Sequence, residues 1–175
     1  MKAVRIHELV GPTGLRVDEV PDPPVADRHV VIDVRAAGVN FPDVLQTYGK
    51  YQFKPTPPFS PGGEVAGVIS AIGTGVTTVA VGDRVAATML HGAYAEKVVV
   101  PEQAVVPLPA GVSFEIGAAT LLTYATTIHA LQDRANLQSG ETLLVLGSAG
   151  GVGRLRSDNP ILPSDVIFVE PPRAK

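Results

Sequence analysis

The chain has 175 residues, of which 45% are hydrophobic, and it carries 14 basic and 17 acidic side chains but no cysteine. Length and composition are typical of a globular protein with one domain and part of a second, and the lack of cysteine excludes disulfides and thiolate zinc sites. A net charge of −3 offers no cationic surface for nucleic acid, and no apolar run is long enough to cross a membrane. Charged residues follow Met1 too closely for a signal peptide, so we expect a cytoplasmic protein.

Short apolar runs, separated by glycine and proline, predict many strands in the first part of the chain. In one of these runs Val30 and Ile32 fall on an apolar face while Asp33 and Arg35 fall on the opposite one. Because closely spaced strands favour a closed sheet, we expect a barrel rather than a layered α/β sheet. The predicted strands are Met1–Ile6, Leu15–Val20, His29–Val39, Glu64–Ile72, Asp83–Thr88, Tyr94–Val100 and Ala104–Leu108.

Helices are predicted in two regions. Pro42 and Asp43 suit the first turn of a short helix or turn over Phe41–Tyr48. After the last predicted strand the composition changes, and Ser113 is a suitable N-cap for a helix that begins at the next residue. Helical spacing of apolar residues then predicts helices over Phe114–Leu122 and Tyr124–Arg134.

A glycine-rich turn comes after a predicted strand late in the sequence. Within Glu141–Leu146 the run Leu143–Leu146 is apolar on both faces, which is typical of a buried parallel strand. It leads directly into Gly147–Gly153, where glycines would let the backbone N–H groups at a helix start approach a dinucleotide pyrophosphate. The spacing differs from the usual G-x-G-x-x-G, so an ordinary strand-to-helix turn stays open as the alternative.

Five stretches of this sequence occur together in a characteristic order, namely Ala37–Val44, Pro58–Val68, Val81–Val85, Gly92–Glu96 and Glu141–Gly153. Taken jointly they resemble the medium-chain dehydrogenase/reductase superfamily, and within it the zinc-independent quinone oxidoreductase branch related to zeta-crystallin. The resemblance implies a mainly β fold with helices, in which a GroES-like barrel is followed by an incomplete Rossmann α/β start. It implies a GroES-like substrate domain at 1–122, a linking helix with the first strand and Gly-rich turn of a Rossmann domain at 123–153, and a divergent tail at 154–175.

The resemblance also bears on metal binding. In the zinc alcohol dehydrogenases of this superfamily a cysteine and a histidine hold the catalytic zinc, and Asn40 and Gly63 stand at those positions here. An amide and a glycine replace neither ligand, and the four histidines of the chain are scattered. We therefore assign no metal site, and a zinc alcohol dehydrogenase is the least favoured alternative.

The function implied by the resemblance is a zinc-independent, NADPH-dependent reductase that transfers hydride to a quinone or another α,β-unsaturated carbonyl. Asn40 and Tyr51 are the candidate catalytic residues, because an amide and a phenol can donate to the oxygen on which charge develops. The implied partner is a small molecule, with neither nucleic acid nor membrane, and a homo-oligomer is left open. The residues implied to bind NADPH are Thr126, Gly147, Gly150, Gly151, Val152 and Gly153.

Each candidate also has a purely structural interpretation. Asn40 could cap the helix that begins near Phe41, and Tyr51 could cover apolar surface, with Tyr48 as a spare candidate. The Thr126 hydroxyl could donate a hydrogen bond to a backbone carbonyl group of its own helix. Asp43 and Glu64 are expected to hold local structure rather than to transfer protons.

The resemblance ends after Gly153. Pro160 and Pro163 prevent a long helix there, so we reject Glu170 as the ribose-binding acid of a second Rossmann strand. We expect an interrupted family sequence that binds NADPH poorly and turns over little. Leu143–Leu146 would need cover from the tail, the barrel or another copy of the chain. The alternative function is a non-enzymatic GroES-like remnant or interaction module.

Overall fold

The computed structural model describes residues 1–138, 141–146, 150–152 and 166–170, the last of these as backbone only. The chain forms two compact units, Met1–Leu121 and Leu122–Lys175, and each is described by itself. The functional domains that the resemblance implies, 1–122, 123–153 and 154–175, are not tested by this division into two units and remain a prediction.

The first unit is built from antiparallel strands. Five of them form one sheet in the order β6-β3-β4-β5-β7, and β1 pairs with β2 in a second sheet. Isolated bridges from Ala3 to Ala95 and from Ile6 to Phe59 join β1 to the loops of the larger sheet. This curled, half-closed sheet confirms the prediction of a mainly β, barrel-like fold. The strands are β1 Lys2–Ile6, β2 Leu15–Glu19, β3 His29–Ala37, β4 Glu64–Ile72, β5 Arg84–Thr88, β6 Lys97–Pro101 and β7 Val105–Pro107.

The core of the first unit includes the apolar face of β3, which lies between β6 and β4 in the sheet. Val30 and Ile32 are completely buried, whereas Arg35 is exposed, as the alternation predicts. Val31 is 5% exposed although it alternates with Val30 and Ile32, so β3 is buried on both faces at this point. Each such fully buried aliphatic side chain stabilises the fold by roughly 1.5–3 kcal/mol. Buried partners on neighbouring strands are Val65, Ile69, Val85, Val98 and Val100.

Two short helices belong wholly to this unit. The first, α1, covers Phe41–Thr47 with Asn40 as its N-cap, so the predicted short helix is confirmed. The second, α2, covers Phe114–Ala118, and its N-cap Ser113 accepts a hydrogen bond from the N–H of Ile116 at 3.3 Å.

The second unit begins within the helix α3, Leu121–Ile128, which continues as a wider π-helical stretch over His129–Arg134. Its two strands, β8 Thr142–Leu146 and β9 Val166–Glu170, pair antiparallel. Among the described residues, no helix is both long enough and apolar enough to span a membrane.

The prediction that β8 is a buried parallel strand is wrong. Its partner runs antiparallel, and Leu144 is 55% exposed. A two-stranded sheet covers little of either face, and parallel neighbours would need a long crossover connection. The antiparallel direction agrees with the rejection of Glu170 as an acid of a second Rossmann strand. Backbone pairing to β9 occupies one edge of β8 and does not cover its faces, so the expected cover for Leu143–Leu146 remains a prediction.

Candidate active site

Asn40 lies where β3 gives way to α1, and it is held through both its main chain and its side chain. Its backbone N–H donates to the carboxylate of Asp43 at 2.8 Å, which is half of a capping box. Its side-chain Nδ2 donates to Oε1 of Glu64 at 2.9 Å. The amide is thus fixed in one orientation while the residue is only partly buried. Asn40 is therefore the N-cap of α1, as its structural interpretation has it, while its catalytic role stays a prediction.

Glu64 is the buried anchor of this arrangement. It begins β4 and is 1% exposed. Gly38 packs against it so closely that a Cβ at that position would lie 2.5 Å from Oε1 of Glu64. The backbone N–H of Gly38 also donates to the carbonyl oxygen of Glu64 at 3.1 Å. Glu64 thus holds local structure: its side chain fixes the amide of Asn40, and its carbonyl oxygen binds the backbone N–H of Gly38.

Asp43 joins α1 to a tyrosine that the sequence analysis did not single out. The hydroxyl of Tyr94 donates to Oδ2 of Asp43 at 2.8 Å, and Asp43 is 4% exposed. Burial, the hydrogen bond to Asp43 and the charges of Asp43 and Glu64 all raise the pKa of Tyr94 well above its usual range. Tyr94 therefore stays protonated and continues to donate. The signal for it was present in the family-like stretch Gly92–Glu96, but its apolar pattern indicated only a strand.

The two other tyrosines near α1 have different surroundings. Tyr51 is partly buried in the bend after α1. It lies outside the hydrogen-bonded group formed by Asn40, Asp43, Glu64 and Tyr94. Tyr48 is 44% exposed, and its ring packs so closely on Gly11 that a Cβ there would lie 2.5 Å away. Tyr48 is thus a packing residue, and Tyr51 remains the candidate that faces a substrate.

The position that holds histidine in zinc alcohol dehydrogenases is occupied by Gly63, beside the carbonyl oxygen of Met89. Asn40 stands at the cysteine position, and its side-chain amide nitrogen donates a hydrogen bond to Glu64. In the part of the chain that the structure describes, no three His, Cys, Asp or Glu side chains are grouped as metal ligands.

In the second unit, the candidate cofactor residues lie beside α3. The Thr126 hydroxyl donates to the carbonyl oxygen of Leu122 at 2.6 Å, which is the back-bonding alternative. Its neighbour Thr127, which the sequence analysis missed, donates to the carbonyl oxygen of Val152 at 3.1 Å. A Cβ on Gly151 would lie 2.7 Å from the Thr123 methyl group. Gly150, Gly151 and Val152 thus form a turn packed on α3, whereas Gly147 and Gly153 lie outside the described residues.

Comparisons with known proteins show what this chain is similar to. The profile of the alcohol dehydrogenase GroES-like domain matches residues 26–110. A quinone oxidoreductase-like protein 2 from Mus musculus is 40% identical over 152 residues, which is 87% of this chain and 43% of that protein. The chain thus spans less than half the length of this curated relative.

Solved structures agree with the sequence comparison. A probable oxidoreductase from Mycobacterium abscessus is 44% identical with a TM-score of 0.82, over 87% of this chain and 49% of that one. A quinone oxidoreductase from Thermus thermophilus, also solved in complex with NADPH, is 38% identical with a TM-score of 0.76, over 88% of this chain and 48% of that one. The solved structures that share this fold thus include oxidoreductases, and the chain spans about half the length of each of these two.

Proposed function

We propose that this chain, which is similar to quinone oxidoreductases of the medium-chain dehydrogenase/reductase superfamily, is an NADPH-dependent, zinc-independent reductase of quinones or enones, or the substrate-domain half of one. The observation that carries this proposal is the fixed side chain of Asn40, whose Nδ2 donates to Oε1 of Glu64 at 2.9 Å while its backbone N–H donates to Asp43 at 2.8 Å. A rigid, partly buried donor is what stabilises charge developing on a substrate oxygen. The domain assignment 1–122, 123–153 and 154–175 and the cytoplasmic location belong to the same proposal.

Asn40 and Tyr51 are proposed to act on the acceptor. One side-chain N–H of Asn40 donates to Glu64, which leaves its second N–H to donate to a substrate oxygen. The Tyr51 hydroxyl is a second donor of the same kind, since a phenol carries one O–H. NADPH, when bound, supplies the hydride. The protein then contributes position and hydrogen bonds rather than a Lewis acid.

The described part of the glycine-rich turn fits a dinucleotide. The absence of a side chain at Gly151 brings the turn onto Thr123, and Thr127 ties the carbonyl of Val152 to α3. Close helix packing and an open backbone are what a pyrophosphate-binding turn requires. We propose Thr126, Gly147, Gly150, Gly151, Val152 and Gly153 as the NADPH-binding residues, with weak affinity in this chain because β8 lacks the parallel pairing of a Rossmann sheet.

Independence from zinc is proposed on the chemistry of the available donors. Without cysteine the chain has no thiolate ligand, and Gly63 provides no side-chain ligand. The Asn40 amide nitrogen already donates to a carboxylate. Stoichiometric zinc in the purified protein, retained after dialysis against a chelator, would contradict this part of the proposal.

Titration with NADPH, followed by nicotinamide fluorescence, tests cofactor binding. We expect a saturable increase for the native chain and about tenfold weaker binding for Gly151→Ala, a change of about 1.4 kcal/mol. The reason is that a methyl group at Gly151 would meet Thr123 at 2.7 Å and displace the turn. Gly111→Ala is the matched control, because a Cβ at Gly111 meets open space.

Oxidation of NADPH by a quinone tests the role of Asn40. We expect Asn40→Ala to slow this reaction roughly 100-fold, as loss of a donor to a developing oxyanion does. Gln103→Ala, which shortens an exposed amide elsewhere in the first unit, should leave the rate unchanged. Equal rates in native and Asn40→Ala protein would remove Asn40 from the mechanism.

A second candidate, a non-enzymatic GroES-like interaction module, is favoured by one observation. The strand β8 pairs antiparallel with β9, unlike the first strand of a parallel nucleotide-binding sheet. If the native chain gives no fluorescence change with saturating NADPH, this candidate replaces the reductase.

A further inference from the structure

Three aromatic rings form a row that runs from the core of the first unit to its surface. The ring of Phe53 stacks on the imidazole of His91, with centroids 5.6 Å apart and planes inclined by 18°. Phe59 contacts the same imidazole edge-on, at 5.9 Å and 80°. Phe59 is 7% exposed, whereas Phe53 is 38% exposed. The imidazole therefore links a buried ring to one that is partly open to solvent.

The inner end of the row is rigid. The backbone of Phe59 exchanges hydrogen bonds with that of Ile6, at 2.7 and 3.3 Å. This pairing fixes Phe59 to β1, and Phe59 in turn supports the edge of His91. Phe53 thus stacks on a fixed support, so its exposed ring is held in a definite orientation.

The row lies on the same chain segments as the candidate catalytic residues. Phe53 follows Tyr51 by two positions in the bend after α1. The side-chain amide of Gln46, at the far end of α1, donates to the carbonyl oxygen of Leu90 at 3.0 Å, directly before His91. From Asn40 to Gln46 the helix rises roughly 9 Å. The row is therefore connected to α1 through the Gln46–Leu90 hydrogen bond, and to Tyr51 through the two-residue step along the chain to Phe53.

The outer end of the row is an apolar surface, since the ring of Phe53 is 38% exposed. A flat, conjugated ring gains most from such a surface, because aromatic rings prefer offset stacking and bury a large apolar area. An open-chain enone has no ring to stack and would gain only from general apolar contact.

We propose that Phe53, supported by His91, is a platform on which the ring of the acceptor stacks, so that the site selects ring-bearing quinones over open-chain enones. The inference rests on the proposed function for its choice of acceptor. Phe53 touches the substrate ring and determines specificity, while His91 is a positioning residue that acts through Phe53.

Binding without cofactor tests the platform directly. The 175-residue chain is titrated with 1,4-naphthoquinone and, in parallel, with trans-3-penten-2-one, and the proton signals of each ligand are followed by NMR. Stacking on Phe53 should move the naphthoquinone ring protons upfield. Phe53→Leu should weaken naphthoquinone binding roughly three- to tenfold, the value of one aromatic pair, and leave pentenone binding unchanged. Tyr124→Leu, which removes an exposed ring in the second unit, is the matched control.

Two further variants separate stacking from folding. Phe53→Tyr keeps the ring and should restore both the affinity and the upfield shift. His91→Asn should reduce the upfield shift, because the supporting ring is lost, while the thermal midpoint of the protein stays close to the native value. Equal naphthoquinone affinity in native and Phe53→Leu protein, or equal losses for both ligands, would overturn the platform.

The outcome is independent of the test for hydride transfer. If NADPH is oxidised by quinones but naphthoquinone binding does not depend on Phe53, the platform alone is wrong. If binding depends on Phe53 but no hydride is transferred, the platform stands as a ring-binding site and the reductase proposal fails.

Discussion

The buried carboxylate of Asp43 receives hydrogen bonds from the phenol of Tyr94 and from a backbone N–H, each at 2.8 Å. Removing one donor leaves a buried acceptor partly unsatisfied. We therefore expect Tyr94→Phe to lower the free energy of unfolding by roughly 1–3 kcal/mol, measured by urea denaturation at neutral pH. Tyr124→Phe, at an exposed position of α3, is the control and should change stability by less than about 0.5 kcal/mol.

The raised pKa of Tyr94 predicts that the free energy of unfolding depends on pH in the alkaline range. Folding raises the pKa of Tyr94 through burial and through the nearby carboxylates, whereas in the unfolded chain it titrates near its usual value of about 10. Above that value the unfolded state releases a proton that the folded state keeps, so the contribution is present below about pH 10 and is lost as pH rises.

Comparison of native and Tyr94→Phe protein isolates this contribution. The stability difference between them should be constant from pH 7 to about 9.5 and should shrink above pH 10. It is measured by urea denaturation at each pH. A difference that stays the same up to pH 11 would contradict the raised pKa.

The residues of this network could be predicted only in part from the sequence. Asp43 was identified in a recognisable helix start, whereas Asn40 was identified as a candidate through the family resemblance. Tyr94 was missed because 51 positions separate it from Asp43, and a tyrosine within an apolar run has the same pattern as any strand residue. Long-range hydrogen bonds leave no local signature.

At the scale of elements, the strands of the first unit were predicted well and β8 was not. Alternation is a local property and shows which face of β3 is buried. The apolar run in β8 shows that a strand forms, but its pairing direction depends on a partner that lies about 20 positions away in β9. The predicted buried, parallel strand was therefore wrong in environment and direction while correct in location.

The junction between β3 and α1 depends on a glycine. A Cβ at Gly38 would collide with the backbone carbonyl oxygen of Ala118 in α2 and would lie 2.5 Å from Oε1 of Glu64, so the strand would have to move away from both. We expect Gly38→Ala to lower the free energy of unfolding by roughly 1–3 kcal/mol, as overpacking does. It should also displace the Asn40 amide, which Glu64 holds.

Urea denaturation measures the stability of this variant, and quinone-dependent oxidation of NADPH measures the displacement of Asn40. Gly111→Ala again serves as the control, since its Cβ meets open space. If Gly38→Ala were as stable and as active as Gly111→Ala, the close contact with Glu64 would not constrain the junction.

At the scale of the whole molecule, the described residues of the two units differ in how many hydrophobic side chains they bury. Among the described residues, every buried hydrophobic side chain of the core belongs to the first unit, from Ala3 to Ala118. In the second unit Tyr124, Ile128 and Leu144 are each about half exposed, at 48%, 52% and 55%. The hydrophobic contribution to stability is therefore concentrated in residues 1–121, since it scales with the apolar area removed from water.

A fragment of residues 1–121 is accordingly expected to fold alone. It contains the five-stranded sheet, the β1–β2 pair and the Asn40–Glu64 and Tyr94–Asp43 hydrogen bonds. Its unfolding in urea should be a single cooperative transition with a midpoint close to that of the first unit in the full chain, because cooperativity follows from a shared core. The fragment should also bind 1,4-naphthoquinone as the full chain does, while NADPH binding is lost together with Thr126 and the glycine-rich turn. A broad transition without dispersed amide signals in NMR would mean that the first unit depends on residues beyond Leu121 for its fold.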